Sequence, residues 1–209
     1  MKRTALVALS LLLAFPVMSL RAGYKPRTWE IKARESYPAS LTSEGVTIAV
    51  EPLYTDKLAS RAFDKDDMVA RGIMPLAIIV FNDNDFPIEI DGPAIELVKG
   101  RDHIRTIGPE EAVARLFRKG KGWLPAPVHR VPKAELNTDA LYDFQAKFLL
   151  DKIIGPKEQG YGFLYMPIRN PGDLASYLSE AIVYIPNIYR LDNTSRMIFF
   201  EIGLDAALR

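Results

Sequence analysis

The sequence predicts a mainly β fold, an antiparallel β-sandwich that carries a helical insertion. Three observations point there. Ile73–Phe81 is an almost unbroken apolar run, the pattern of a strand buried on both faces. Short alternating runs, about eight or nine of them, recur between Gly, Pro, Asn and Asp at the loop spacing of sandwiches. The stretch 108–155 breaks that rhythm with two capped amphipathic segments.

The elements follow in order. Tyr24–Arg27 reads as an extended leader and Thr28–Ala33 as an alternating strand. Gly45–Glu51 alternates more cleanly, with Val46, Ile48 and Val50 on one face. Thr55-Asp56 opens a helical stretch, and Asp64–Arg71 reads as a turn ended by Gly72. Gly72–Gly92 is expected to be a central hairpin: Ile73–Phe81 goes out, the polar turn Asn82–Asp85 stops it, and Phe86, Ile88 and Ile90 return. Ala94–Val98, a Lys99-Gly100 turn and a return at His103–Ile107 come next.

Gly108-Pro109-Glu110-Glu111 is a helix start, with proline in the first turn and acids facing the helix dipole. Asn137-Thr138-Asp139 caps a second helix with a stripe of Leu141, Phe144, Phe148 and Ile153. Strand character returns at Gly160–Met166, Ala181–Ile185 and Met197–Leu204, with a helical turn near Leu174–Glu180.

Ahead of these elements, Lys2 and Arg3 precede the uncharged run Thr4–Leu20; Pro16 interrupts it, and small residues follow that proline at Ser19 and Ala22. This is a secretory signal peptide pattern over residues 1–22, leaving 23–209 as one β-sandwich domain with the insertion at about 108–155. The rival reading is an uncleaved anchor, because the run is barely long enough to span a bilayer. The expected location is a bacterial periplasm or the extracellular face of a membrane. The chain has no cysteine, so an acylated cysteine is excluded and the exported domain must hold together without disulfides. Loss of residues 1–22 removes Lys2, Arg3 and Arg21 but no acid. That leaves 24 basic residues against 26 acidic ones, a net charge of −2. Such a balance gives no footing for nucleic acid.

The stretches Phe63-Asp64-Lys65-Asp66, Gly72-Ile73-Met74-Pro75-Leu76 and Val80-Phe81-Asn82 open a resemblance that Gly160–Tyr165 and Phe199-Phe200-Glu201-Ile202 close. Together they are similar to exported immunoglobulin-like domains of bacterial envelopes and lipoproteins. The resemblance implies an immunoglobulin-like sandwich with no shared catalytic residues and no cofactor. The 108–155 insertion departs from the simple pattern.

Chemistry is weakly signalled. Asn82-Asp83-Asn84-Asp85 has carboxylates for calcium at Asp83 and Asp85, but Pro87 and Ile88 break the EF-hand pattern, and turns require such residues anyway. His103 and His129 are the only histidines and show no metal-ligand spacing. The chain has no G-x-S-x-G elbow, and Arg118–Trp123 lacks the spacing and the Ser/Thr of a P-loop. The expected function is a non-catalytic exported binding or structural module, an accessory subunit contacting an envelope or membrane protein. The expectation from another class is an envelope hydrolase acting on glycan or peptide through paired carboxylates. Arg118, Lys119, Lys121, Trp123, Leu124 and Val128 are the expected partner-binding residues. They combine basic and apolar side chains in a segment that prolines hold extended, which suits a protein partner in the envelope or a membrane surface. In the competing reading Trp123 plugs the sandwich edge.

Overall fold

The computed structural model describes residues 23–117, 137–169, 171–193 and 196–208, with 171, 196 and 197 described by their backbone alone. In chain order the elements are β1 (Ser40–Ser43), β2 (Val46–Pro52), α1 (Asp56–Ala59), β3 (Ile73–Asn82), β4 (Ile88–Asp91), β5 (Glu96–Lys99), β6 (Asp102–Arg105), α2 (Pro109–Phe117), α3 (Thr138–Lys147), β7 (Asp151–Ile154), β8 (Gln159–Pro167), α4 (Leu174–Ser179), β9 (Ile182–Arg190) and β10 (Arg196–Gly203). The fold is mainly β, and every strand pairing is antiparallel. Sheet A runs β1-β2-β3-β8. Sheet B is centred on β9, with β10 on one edge.

The other edge of β9 is shared. Ile88–Ile90 pair with its C-terminal end and Glu96–Val98 with its N-terminal end, so β4 and β5 form one interrupted strand. The interruption at 91–95 lies beside Pro186, whose ring leaves no amide hydrogen for a ladder. β7 flanks β4 and β6 flanks β5.

All ten residues of β3 are buried, as its apolar run predicts, because both faces of sheet A are covered. Register assigns the faces. Met74, Leu76, Ile78 and Val80 stand opposite Met166, Leu164, Gly162 and Gly160 and face sheet B. Gly162 is required there, because a Cβ would lie 2.7 Å from the Leu149 Cβ and 2.9 Å from its Cα, whereas one at Gly160 would meet the tip of the Ile154 side chain, 2.4 Å from Cδ1. Ala77, Ile79 and Phe81 share the opposite face with Phe163 and Tyr161. On that face Phe63 is the hub of a ring cluster, 4.7 Å from Phe144, 5.1 Å from Phe163 and 5.8 Å from Tyr165. The segment before β1 finishes the cover, with Trp29 edge-on to Phe163 and Tyr37 against Phe81. The order of layers is sheet B, sheet A, then helices with the N-terminal segment.

Several expectations are corrected. Gly72–Gly92 is not a hairpin: β3 and β4 lie in different sheets, and Asn82–Phe86 carries the chain between them. A returning strand paired to β3 would displace β8, which matches β3 over nine residues. Thr28–Ala33 is not a strand, because it lies across a sheet face rather than at an edge. The stripe Leu141/Phe144/Phe148/Ile153 is split. α3 ends at Lys147, Phe148 bridges to Phe163 beside β8, and Ile153 is on β7. Ala181–Ile185 extends through Arg190 as β9. The strand β1 has no apolar alternation to announce it. It forms because Glu44 and Gly45, both with positive φ, make the two-residue turn that hairpins favour.

Asn82 fixes the crossing. Its Nδ2 shares two hydrogens among the carbonyls of Phe86 (2.8 Å), Gly155 (2.9 Å) and Ile154 (3.3 Å), while its Oδ1 accepts from the Asn84 amide. The side chain therefore ties the end of β3 to the end of β7 in the other sheet. Asn82→Ala removes these bonds and leaves the carbonyls short of donors. It should cost about 2–3 kcal/mol in urea denaturation, and a loss below about 0.5 kcal/mol would show that the crossing is held elsewhere.

Candidate functional site

Three places on the described molecule carry polar or exposed groups that its packing alone does not require. The first is the root of the expected interface. Arg118, Lys119, Lys121, Trp123, Leu124 and Val128 lie outside the described residues, as does His129. The residues that border them are placed. Phe117 packs edge-on to Tyr24 at 5.9 Å, with the Lys65 ammonium 5.7 Å from its ring centre. An open groove of about 490 Å³ runs beside it, lined by Arg27, Asp64, Lys65, Asp66, Arg71 and Leu116 as well as Phe117. Its charges are largely matched internally. Arg27 pairs with Asp64 at 3.0 Å, and Asp67 takes both Lys65 and Arg71. The Lys25 amide and then the Arg27 guanidinium hold the Asp64 carboxyl below its ordinary range.

The second place is a buried polar network behind that groove. The Tyr24 hydroxyl donates to Asp143 Oδ2 at 2.6 Å. Lys147, one turn along α3, pairs with Asp143 at 2.7 Å and donates to the Ala62 carbonyl at 2.8 Å. Its ammonium also lies 4.9 Å from the centre of the Phe63 ring. Both charged residues are more than nine-tenths buried or at that limit, with relative exposures of 7% and 9%. Burial, and then the hydrogen bond to Asp143, push the Tyr24 hydroxyl well above its ordinary pKa, while burial lowers Lys147. The network joins the N-terminal segment, α3 and the chain just before Phe63. That is a structural lock whose three side chains are all buried.

The third place is the outer face of sheet B. In an antiparallel ladder, directly opposite residues share a face. Val183, Ile185 and Ile188 point inward and are buried, so Ile182, Tyr184 and Tyr189 point outward. Opposite them stand Val98, Glu96 and Glu89 on one side, and Gly203 and Glu201 on the other. Phe199 packs on Tyr184 and is 54% exposed, and Ile153, opposite Glu89, is 60% exposed. No described element lies over this face.

The acidic turn is placed as well. Arg34 grips Asp83 with two bonds of 2.6 and 2.7 Å, and Lys157 reaches Asp85 at 2.9 Å, so cations already engage both carboxylates considered for calcium. His103 bonds Glu96 at 2.7 Å on the β5–β6 hairpin. Among the described residues, no three His, Cys, Asp or Glu side chains are grouped to hold a metal ion, and no helix is long and apolar enough to cross a membrane.

No family model matches the chain, and no curated protein matches it. Two solved structures from Bacillus subtilis are distantly similar. The yjhA protein is 8% identical with a TM-score of 0.38, over 71% of this chain and 79% of that one. The candidate lipoprotein ycdA is 10% identical with a TM-score of 0.40, over 81% of this chain and 40% of that one. Likeness this low assigns neither fold nor function.

The outer face of sheet B was not legible in the sequence. Ile153 ends the apolar series Leu141, Phe144, Phe148, Ile153 that reads as one helical stripe, and Phe199 sits beside a buried Phe200 in an apolar run. The alternation of half-buried Tyr184 and buried Ile185 was the available signal.

The network makes two predictions. Asp143→Ala strands a buried ammonium and should cost roughly 3–5 kcal/mol in urea denaturation, whereas the double change Asp143→Leu/Lys147→Met should recover most of that loss. Equal losses for the single and double variants would contradict a buried ion pair. The alkaline limb follows from the raised tyrosines. Tyr24, Tyr165 and Tyr161 keep their protons in the fold above pH 10.0, where the unfolded chain releases them, so stability falls as pH rises past that value. The lowered Lys147 acts oppositely only up to its ordinary 10.5. Tyr24→Phe should flatten the fall in urea midpoint between about pH 10 and pH 12; an unchanged slope would show that Tyr24 ionises freely.

Proposed function

We propose that this chain is an exported, non-catalytic binding module, an accessory subunit of immunoglobulin-like sandwich type that docks onto a protein of the bacterial envelope. The observation that carries the reading is the uncovered outer face of sheet B. Half-buried Ile182, Tyr184 and Tyr189 of the central strand β9 stand there with exposed Phe199 on the edge strand β10 and exposed Ile153 at the opposite rim. Aromatic clusters of this kind are what protein interfaces use as anchors. The signal peptide pattern in residues 1–22 supports export, to the periplasm or the extracellular face of a membrane. The immunoglobulin-like character is supported by the sequence resemblance and by the two stacked antiparallel sheets.

The hydrolase alternative has less support. A general acid needs a carboxyl held above its ordinary range, and Asp64 in the groove is held below it.

A photo-crosslinking residue placed at Phe199 or Ile153 in the native cells tests the docking face, with the exposed Tyr142 on α3 as the control position. A discrete protein adduct at the two sheet positions and none at Tyr142 is expected. Adducts only at Tyr142, or none at any position, would overturn the assignment of the face. Intact-mass measurement tests export. A chain beginning at Leu20 or Gly23 supports it, and an intact Met1 in the cytosol contradicts it.

A further inference from the structure

The outer face of sheet B has a sign as well as a shape. We infer that its partner is a protein surface that is apolar at its centre and rich in lysine or arginine at its rim; this rests on the docking face proposed above. Five carboxylates belong to the outward rows: Glu89, Asp91, Glu96, Asp151 and Glu201. Among the described side chains, only Glu96 is answered within the face, by Arg105 at 2.6 Å and His103 at 2.7 Å. Arg196, whose backbone pairs with Tyr189, is the other cationic residue on these rows, so acids remain in excess.

The arrangement is also costly. Asp91 stands directly opposite Asp151 in the β4–β7 ladder, and the next outward pair in the same ladder is Glu89 with Ile153. Like charges directly opposite one another destabilise a sheet. Asp91 has a local use, since its Oδ1 accepts from the Ala94 amide at 3.2 Å. Asp151 is exposed and makes no such bond with the described residues, so a lysine there would serve the isolated chain better. An acid at that position is accounted for by something that binds it from outside. The row Asp91–Asp151 and Glu89–Ile153 therefore sets an acidic rim beside an apolar floor.

Charge decides between occupants. An anionic lipid surface would meet these carboxylates with repulsion. A second copy in an isologous contact would set one acid-rich face on another. The described residues that border the two long undescribed segments lie on the opposite side: residue 23 is beside Asp139, and Phe117 packs on Tyr24, both in the helical layer beyond sheet A. A basic, apolar protein surface is the occupant that satisfies both the aromatic floor and the acidic rim, and electrostatic attraction of this kind speeds encounter and excludes wrong partners.

The test uses two extended peptides of equal length, one alternating leucine with lysine and one alternating leucine with glutamate. Each is titrated into the purified native protein while amide resonances are followed. The lysine peptide should shift resonances of β4, β7, β9 and β10, and the glutamate peptide should not. Asp151→Lys gives a signature that a merely structural residue would not: affinity for the lysine peptide falls at least about fivefold while the melting temperature rises. Phe199→Ser should weaken the same peptide without changing its dependence on salt. If both peptides shift the face equally, the charge inference fails and the docking face stands. If neither shifts it, or the protein sediments as a dimer whose contact covers Phe199, both fail. Binding of this face to vesicles of anionic phospholipid would likewise overturn the inference.

Discussion

The structure depends on one strand having no solvent side. β3 is apolar at every position from Ile73 to Phe81 and ends in a buried Asn82, so each of its faces must be covered by something else in the chain. A lone two-sheet sandwich covers one face only. The second cover is the aromatic cluster around Phe63, Phe144, Phe163 and Tyr165, supplied by the chain after α1, by α3 and by β8. The helices in the insertion are thereby part of the core. Ala112, Val113 and Leu116 of α2 and Phe144 of α3 are all buried.

This arrangement explains why the charges fall where they do. The N-terminal segment has no ladder to hold it, so it is fixed by side chains: Tyr24 on Asp143, Trp29 on Phe163, Lys32 on Glu51, and Arg34 on Asp83. Each contact pins an otherwise irregular run to a sheet face or to a loop. The buried pair Asp143–Lys147 belongs to the same fastening. Sheet A is thus enclosed on both sides, and sheet B has a free outer face. That asymmetry leaves one surface of a stable molecule open for the docking proposed above.

Much of the fold was legible in residues with strong local preferences. Pro109 with Glu110 and Glu111, and Asn137 bonding the Ala140 amide, mark helix starts that the structure keeps. Gly100 at positive φ turns β5 into β6 as its sequence suggests. What failed was long-range. Nothing local in Asn82–Asp85 distinguishes a hairpin turn from a crossing between sheets, because the decision lies with β8, which pairs with β3 some eighty residues later. Ile153 was assigned to a helix because apolar spacing of 3–5 residues is ambiguous when a strand follows a helix closely. Of the candidate site on sheet B, no residue is singled out by the sequence; its grouping on one face required the register of β4, β7 and β9.

Solvent paramagnetic relaxation measured at side-chain protons tests the layered arrangement most directly. The account predicts no enhancement at Leu76, Ile78, Ile79 and Val80, which point to alternate faces of β3, together with strong enhancement at Ile153 and Phe199. Enhancement at Ile79 and Ala77 with protection at Ile78 and Leu76 would contradict it, because it would mean that sheet A has an open face and that the helices cover something else.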